Sequence, residues 1–356
     1  MVRLLLIGLS ILLVQCLQAQ APKYSNEFLK IGVGARALGM SNAFVASAND
    51  VTAGYWNPAG LSRLESDFQF SLMHSEYFAG IAAYDYAAFA TKIDEQSTIG
   101  FSFLRFGVDD IPNTTQLIDA EGNINFDRVT TFSAADYAGL ISYARKSNVD
   151  GLSYGGNAKI IHRAVGDFAE AWGFGFDLGM QYEKGKWMFA AVGRDVTTTF
   201  NAWSSNLDQE TQQVFLQTGN EIPENSVELT LPELILGVNR SFVFSDKIGL
   251  TAELNFKNTF DGKRNVLFKS DPISVDPSFG FETNYDDLIF LRGGIGNVQV
   301  TTDIDGNRLT TFQPNFGIGV KLPYISIDYA LTDIGDQSVA LYSNVFSVRI
   351  DINRKQ

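Results

Sequence analysis

Between Phe68 and the C-terminus, apolar and polar residues alternate with a period of two in fourteen segments: 68–77, 81–92, 97–107, 133–146, 152–164, 171–183, 186–196, 230–244, 247–257, 277–285, 288–299, 313–321, 323–332 and 340–352. Successive side chains of a strand point to opposite faces, so this period predicts strands with one apolar and one polar face. In 247–257, Ile248, Leu250, Ala252, Leu254 and Phe256 share one face, and Gly249, Thr251, Glu253, Asn255 and Lys257 share the other. The same division recurs in 323–332, with Ile325, Ile327, Tyr329 and Leu331 opposite Ser326, Asp328 and Thr332. It recurs again in 340–352, with Phe346, Val348, Ile350 and Ile352 opposite Ser347, Arg349 and Asp351.

A lone alternating strand suits a soluble sandwich equally well; the connections separate the two cases. After the even-numbered segments the chain turns tightly, as at Asp94, Lys184-Gly185, Ser245-Asp246 and Asp286-Asp287, whereas residues 108–132, 197–229, 258–276 and 300–312 form long connections after odd-numbered ones. Alternating short and long connections are the layout of a transmembrane outer-membrane β-barrel, with short periplasmic turns and long external loops. The reading is therefore all-β: about fourteen antiparallel strands over residues 68–356, an even number that leaves both termini periplasmic. Tyr84, Tyr86, Trp172, Trp187, Tyr285, Tyr324 and Tyr342 lie near segment ends, where interfacial aromatic girdles are expected, although β-propensity alone would also place them in strands.

The first residues decide the compartment. Arg3, the apolar run Leu4 to Val14 and the small-residue exit at Ala19 have the layout of a secretory signal peptide over residues 1–19, too short for a membrane anchor. Cleavage would remove Cys16, the one cysteine, and with it every disulfide and thiolate site. No later stretch is long and apolar enough for a membrane helix, and a formal charge of −13 disfavours a nucleic-acid partner.

Residues 20–67, ahead of the first strand, are too apolar for a free tail. Ser25 and Asn26 read as possible helix caps before Phe28, Leu29, Ile31 and Val33, and a run rich in glycine and alanine follows. Small residues permit close packing, and the barrel lumen is the place available, so this stretch is expected to be a hatch. Within it, Pro58 biases Asn57 away from helix and Gly60 tolerates positive φ, giving a rigid Asn57-Pro58-Ala59-Gly60 turn that sets the direction of Trp56. Arg36 and Asp50 are candidates for an ion pair that holds the hatch folded.

The stretch "GARALGMSNAFVASANDVTAGYWNPAGLSRL", residues 34–64, resembles the N-terminal signature of the PorV/PorQ family, whose barrels are similar to the FadL-type fatty-acid transporters. The resemblance implies a fourteen-stranded outer-membrane barrel with an internal hatch, belonging to the type IX secretion system of Bacteroidota. Its partners would be secretion-system proteins or the C-terminal signal domains of cargo.

Other chemistry is sparse. Gly32, Gly34 and Gly39 imitate a nucleotide loop without the strand-turn-helix unit such a loop needs. His74 and His162 each sit in a strand with no metal or catalytic constellation, and the Asp119–Asn123 and Asp303–Asn307 stretches are hairpin turns before they are calcium loops. No enzyme, metal or cofactor is expected. Trp203, Val214, Phe215 and Leu216 in connection 197–229 are candidate anchors for a protein partner, which favours a secretion component acting through loops and rim. They could equally line the way in for a hydrophobic small molecule, the FadL-like alternative; outer-membrane lipids are partners on either reading.

Overall fold

The computed structural model describes residues 25–117, 123–219, 221–302, 306–334 and 342–354; the leader expected over residues 1–19 lies outside them. The strands are β1 (Phe68–Tyr77), β2 (Ala82–Lys92), β3 (Ser97–Asn113), β4 (Thr130–Lys146), β5 (Leu152–Val165), β6 (Ala169–Lys184), β7 (Trp187–Arg194), β8 (Thr199–Ser205), β9 (Ser226–Thr230), β10 (Glu233–Ser245), β11 (Ile248–Thr259), β12 (Phe268–Lys269), β13 (Ser274–Tyr285), β14 (Ile289–Thr302), β15 (Arg308–Lys321), β16 (Ile325–Thr332) and β17 (Ser343–Ile352).

All belong to one antiparallel sheet that closes when β17 pairs with β1, from Phe68 opposite Ile352 to Glu76 opposite Asn344. Strand β8 prolongs the stave begun by β7, β9 leads into β10, and β12 is a two-residue pairing on β13, so the wall is a closed barrel of fourteen staves. The break between β7 and β8 has Asp195 and Thr198 at φ 53° and 61°. Beside it, the break between β9 and β10 falls at Leu231 and Pro232, and proline cannot donate to the ladder. The tight turns, the start of β1 and the end of β17 share one end of the barrel; the long connections share the other.

Burial inverts the rule for globular proteins. Phe70, Leu72, Phe101, Phe174, Phe176 and Leu178 are exposed on the outer wall, while Ser71, Ser102, Asn157, Gln181 and Glu253 are buried on the inner one. Such a wall needs an apolar solvent outside, and closure leaves no sheet edge unpaired.

Residues 25–67 fill the lumen in short helical turns at Glu27–Lys30, Ala35–Leu38, Ala53–Trp56 and Pro58–Arg63. Phe28, Val33, Phe44, Trp56 and Leu61 pack there against Tyr84, Leu104 and Leu140 of the wall. This packing corrects the girdle expected at Tyr84 and Tyr86. Both rings are buried inside, where the Tyr84 hydroxyl donates to the Phe28 carbonyl (3.2 Å) and the Tyr86 hydroxyl meets the Ser102 hydroxyl (3.1 Å). Strand β2 turns Ala83, Asp85, Ala87 and Phe89 outward and Ala82, Tyr84, Tyr86 and Ala88 inward, so apolarity does not mark its outer face. Trp172, Trp187, Tyr285, Tyr324 and Tyr342 are exposed.

Candidate functional site

The hatch is held by side chains of the wall that satisfy its backbone. Asn57 is extended (φ −156°), as a residue before proline prefers, and ends the Ala53–Trp56 turn. Its Oδ1 accepts from the Ala59 amide (3.2 Å), while its Nδ2 donates to the Val45 carbonyl (2.9 Å) and to the Met180 carbonyl of β6 (3.1 Å). From β6, Gln181 Nε2 lies within hydrogen-bonding distance of the carbonyls of Val45, Ala46 and Ala48 (3.1, 3.2 and 2.9 Å). Asn157 of β5 donates to the Gly54 carbonyl (2.7 Å), and Glu253 of β11 accepts from the amides of Ala46 (2.8 Å) and Ser47 (2.7 Å). A backbone with little regular structure can be buried here because the wall supplies its partners.

Pro58, Ala59 and Gly60 open the Pro58–Arg63 turn, and all three are buried. Pro58 lies on Gly155 and Gly179 of the wall: a Cβ added to Gly155 would stand 2.6 Å from the Pro58 carbonyl carbon. The role expected for Gly60 is corrected. It is not among the residues with positive φ; the close approach of the Ala48 carbonyl leaves no space for a side chain. Trp56 donates its indole N–H to the Val33 carbonyl (2.9 Å) and packs edge-on against Phe44 and Tyr55, with the Arg194 guanidinium 5.7 Å from its ring centre.

Arg36 and Asp50 do meet, at 3.2 Å, but within a larger cluster. Arg36 also bonds both carboxylate oxygens of Glu282 (2.9 and 2.8 Å), Asp50 pairs with Arg349 (3.0 Å), and Arg292 bridges Glu282 (2.6 Å) and Asp328 (2.7 Å). Burial alone would raise the Asp50 carboxyl, but Arg349 and Arg36, with hydrogen bonds from Thr52, hold it below the usual carboxylate range. Asn26 takes the N-cap position of the Glu27–Lys30 turn, as expected, but at φ 55° and without a side-chain capping bond; its side chain instead donates to Thr230 (2.8 Å) and accepts from Asn201 (3.0 Å). Lys30 pairs with Glu233 of β10 at 2.7 Å.

Two cavities lie on either side of the docked segment. On the long-loop side a cavity of about 480 Å³ has Ile31, Leu38 and Trp56 as apolar floor, with Tyr77, Phe106 and Arg194 among its walls. On the short-turn side a cavity of about 360 Å³ is polar, lined by Arg36, Asp50, Arg292, Asp328 and Arg349.

The candidate loop residues are placed differently from expectation. Connection 197–229 contains β8, β9 and the helix Gln209–Gln217, whose N-cap Asp208 accepts from the Thr211 amide at 2.7 Å. Trp203 belongs to β8, opposite Ala171 and Ser226, half-buried under the Arg163 guanidinium at 5.0 Å. It is part of the wall's extension and no free anchor. Val214 and Phe215 are half-buried, and Leu216 is exposed. Gly32 and Gly34, at φ 107° and 80°, serve hatch packing, and the Gly34 amide points to the Met73 sulfur. His74 and His162 face outward on β1 and β5; no group of three potential metal-ligating side chains occurs among the described residues, and the Asp119–Asn123 and Asp303–Asn307 stretches lie largely outside them.

Gln181, Asn157, Glu253, Glu282, Arg292 and Arg349 escaped the sequence reading as site residues. Each stands on the polar face of an alternating segment; for all but Asn157 the signal was a long or charged side chain where a small polar one suffices.

No family model and no curated protein matches the sequence. Among solved structures, the Pseudomonas putida toluene transporter TodX is similar at TM-score 0.54 and 12% identity, covering 91% of this chain and 99% of its own. The monoaromatic hydrocarbon channel CymD is similar at 0.54 and 13%, covering 92% and 99%. A Pseudomonas aeruginosa FadL homologue is similar at 0.51 and 11%, covering 90% and 98%. At these identities the likeness is one of fold, that of the FadL-type outer-membrane barrel.

Proposed function

We propose that this chain is an outer-membrane channel for small hydrophobic molecules, with its short turns in the periplasm. The observation that carries the reading is the outer cavity: about 480 Å³, reached from the long-loop end and floored by Ile31, Leu38 and Trp56 of a hatch that occupies the lumen. A concave site with an apolar floor suits a small organic ligand, and its walls are polar, with Lys30, Arg194, Glu233 and Lys257 among them. The neighbours in fold support it, since two are named for toluene transport and hydrocarbon conduction.

The type IX secretion reading rests on the resemblance of residues 34–64, and exposed apolar side chains at the long-loop end, such as Phe126 (75% exposed) and Leu216 (65%), are what favour it. Cells lacking their own transporters would be given the wild-type chain or an Ile31→Asp, Leu38→Asp variant, and uptake of labelled toluene and of a long-chain fatty acid measured. Channel function predicts uptake above the empty-vector level that the variant loses. Uptake at the empty-vector level, with secretion proteins retained on purification, would replace it by the secretion reading.

A further inference from the structure

The lining of the outer cavity divides by chemistry. Its apolar part comes from the hatch and from wall residues such as Tyr77, Phe106 and Ile235, whereas the adjacent staves β11, β13, β14, β15 and β16 contribute Asn255, Ser278, Asn297, Gln313, Asn315 and Thr332, all polar and uncharged. The charged side chains of the same wall are already engaged. Lys30 pairs with Glu27 (3.1 Å) and Glu233 (2.7 Å), Lys257 pairs with Asp276 (3.4 Å), and the Thr332 hydroxyl donates to Asp333 (3.1 Å). The Arg194 guanidinium lies over the Tyr55 ring at 4.8 Å and donates to the Tyr55 carbonyl (3.4 Å).

Within the uncharged band one place is open. Gly296 of β14 stands opposite Gln313 of β15, and a Cβ added to it would lie 3.4 Å from the Ser278 Cβ and 3.5 Å from the Ser41 Cβ of the hatch. The absent side chain leaves a notch in the cavity wall bordered by Ser41, Ser278 and Gln313. This notch adjoins the apolar floor, because the Ser41 amide donates to the Leu38 carbonyl (3.0 Å). Asn297 orients Gln313: its Nδ2 donates to Gln313 Oε1 (2.8 Å), while its own Oδ1 accepts from Gln299 (2.7 Å). Among the described residues, neither Gln313 Nε2 nor the Ser278 hydroxyl has a hydrogen-bond partner. The first can only donate and the second can accept, and a single hydroxyl group satisfies both.

We propose that the outer cavity selects hydrophobic molecules that carry one neutral hydroxyl group, the class of phenols and aromatic alcohols, with the ring on Leu38 and Trp56 and the hydroxyl in the notch over Gly296. This selectivity rests on the channel reading and narrows its substrate class. The ligand oxygen accepts from Gln313 Nε2, and its O–H donates to the Ser278 hydroxyl. A hydrocarbon of the same shape leaves both groups unpaired, and a carboxylate or ammonium group meets no charge in the notch.

Equilibrium dialysis of the detergent-solubilised chain against labelled toluene, p-cresol and 4-methylbenzoate, with protein-free micelles as the blank, compares one ring with three substituents. At neutral pH the phenol, with a pKa of about 10, is uncharged and the benzoate is an anion. The wild type should bind p-cresol about tenfold more tightly than either other compound. Gln313→Leu with Ser278→Ala should abolish that advantage and leave toluene binding unchanged; Gly296→Val, which fills the notch and keeps both polar groups, should weaken p-cresol alone. Heat-dependent gel migration identifies folded barrels in each preparation. Toluene or 4-methylbenzoate bound by the wild type as tightly as p-cresol, or the p-cresol advantage retained by the folded Gln313→Leu, Ser278→Ala chain, would overturn the proposal and leave the channel reading standing. Binding of none of the three would remove both.

Discussion

Asp50 of the hatch lies 3.0 Å from Arg349 of β17, so a residue ahead of the first strand is tied to the stave that closes the barrel. Its side chain is 6% exposed, and Arg36 reaches it from the hatch side at 3.2 Å. The contact joins the docking of the hatch to the closure of the wall.

The pH dependence of docking follows from this contact. The folded Asp50 carboxyl is held below its unfolded value of roughly 3.9, so its contribution is complete above that value and is lost as pH falls through the folded one. Protection against hydrogen exchange in residues 45–57, taken relative to the intrinsic rate at each pH, should be high and constant from neutral pH down to about 4, then fall. Asp50→Asn leaves Arg349 and Arg36 short of a buried partner and should weaken docking by about 3 kcal/mol at neutral pH. Wild-type-like exchange in that variant would show that the pair does not hold the hatch.

Pro58 and Gly60 are tested together. Gly60→Val places a side chain against the Ala48 carbonyl, and Pro58→Ala frees the turn. The double variant should keep the barrel, whose ladders it does not touch, and loosen the hatch. Single-channel conductance in planar bilayers is expected to rise. Conductance and protease resistance near Trp56 both equal to wild type would mean that the motif does not plug the lumen.

Gln181 gives a test from the side of the wall. Gln181→Leu leaves the carbonyls of Val45, Ala46 and Ala48 without their shared donor, a loss of about 1–3 kcal/mol. Denaturant should then release the hatch, followed by exchange of residues 45–57, at lower concentration than it unfolds the wall. Coincident release and unfolding in the variant would rule this out.

The orientation is checked with protease on intact cells. Cleavage is expected within 114–129 and 206–225, whose described residues belong to no barrel stave, and a tag after Gln356 should stay protected. Cutting at Gly185, in the tight turn between β6 and β7, would invert the assignment.

Phe215→Ala with Leu216→Ala separates the two functional readings. Helix Gln209–Gln217 contributes nothing to the lining of the outer cavity, so uptake of hydrophobic molecules should be unchanged. A tenfold loss of co-purifying secretion proteins, equivalent to about 1.4 kcal/mol, would support the secretion reading instead.

Much of the wall was legible because its rule is local. Whether Leu250 and Leu254 share a face depends only on the period of a strand, and whether two staves are neighbours depends on the length of the turn between them. That reasoning fails where apolar side chains stand on the inner face and Asp85 on the outer one, as around Tyr84 and Tyr86, and where a stave is interrupted, as at Asp195. The break carried β8, with Trp203, into what read as a loop.

The amino-acid sequence by itself determined the antiparallel barrel, its outward apolar face and a segment before β1 too apolar to stay outside. Tertiary structure alone decided what that segment touches. Asn57 meets Met180, Gln181 meets three hatch carbonyls, and Asp50 meets Arg349 only because closure brings β5, β6, β11 and β17 around one lumen. The physical reason is that alternation specifies a direction for each side chain but no partner. A polar residue pointing inward acquires its chemistry from whichever distant backbone or charge the closed wall places within hydrogen-bonding reach.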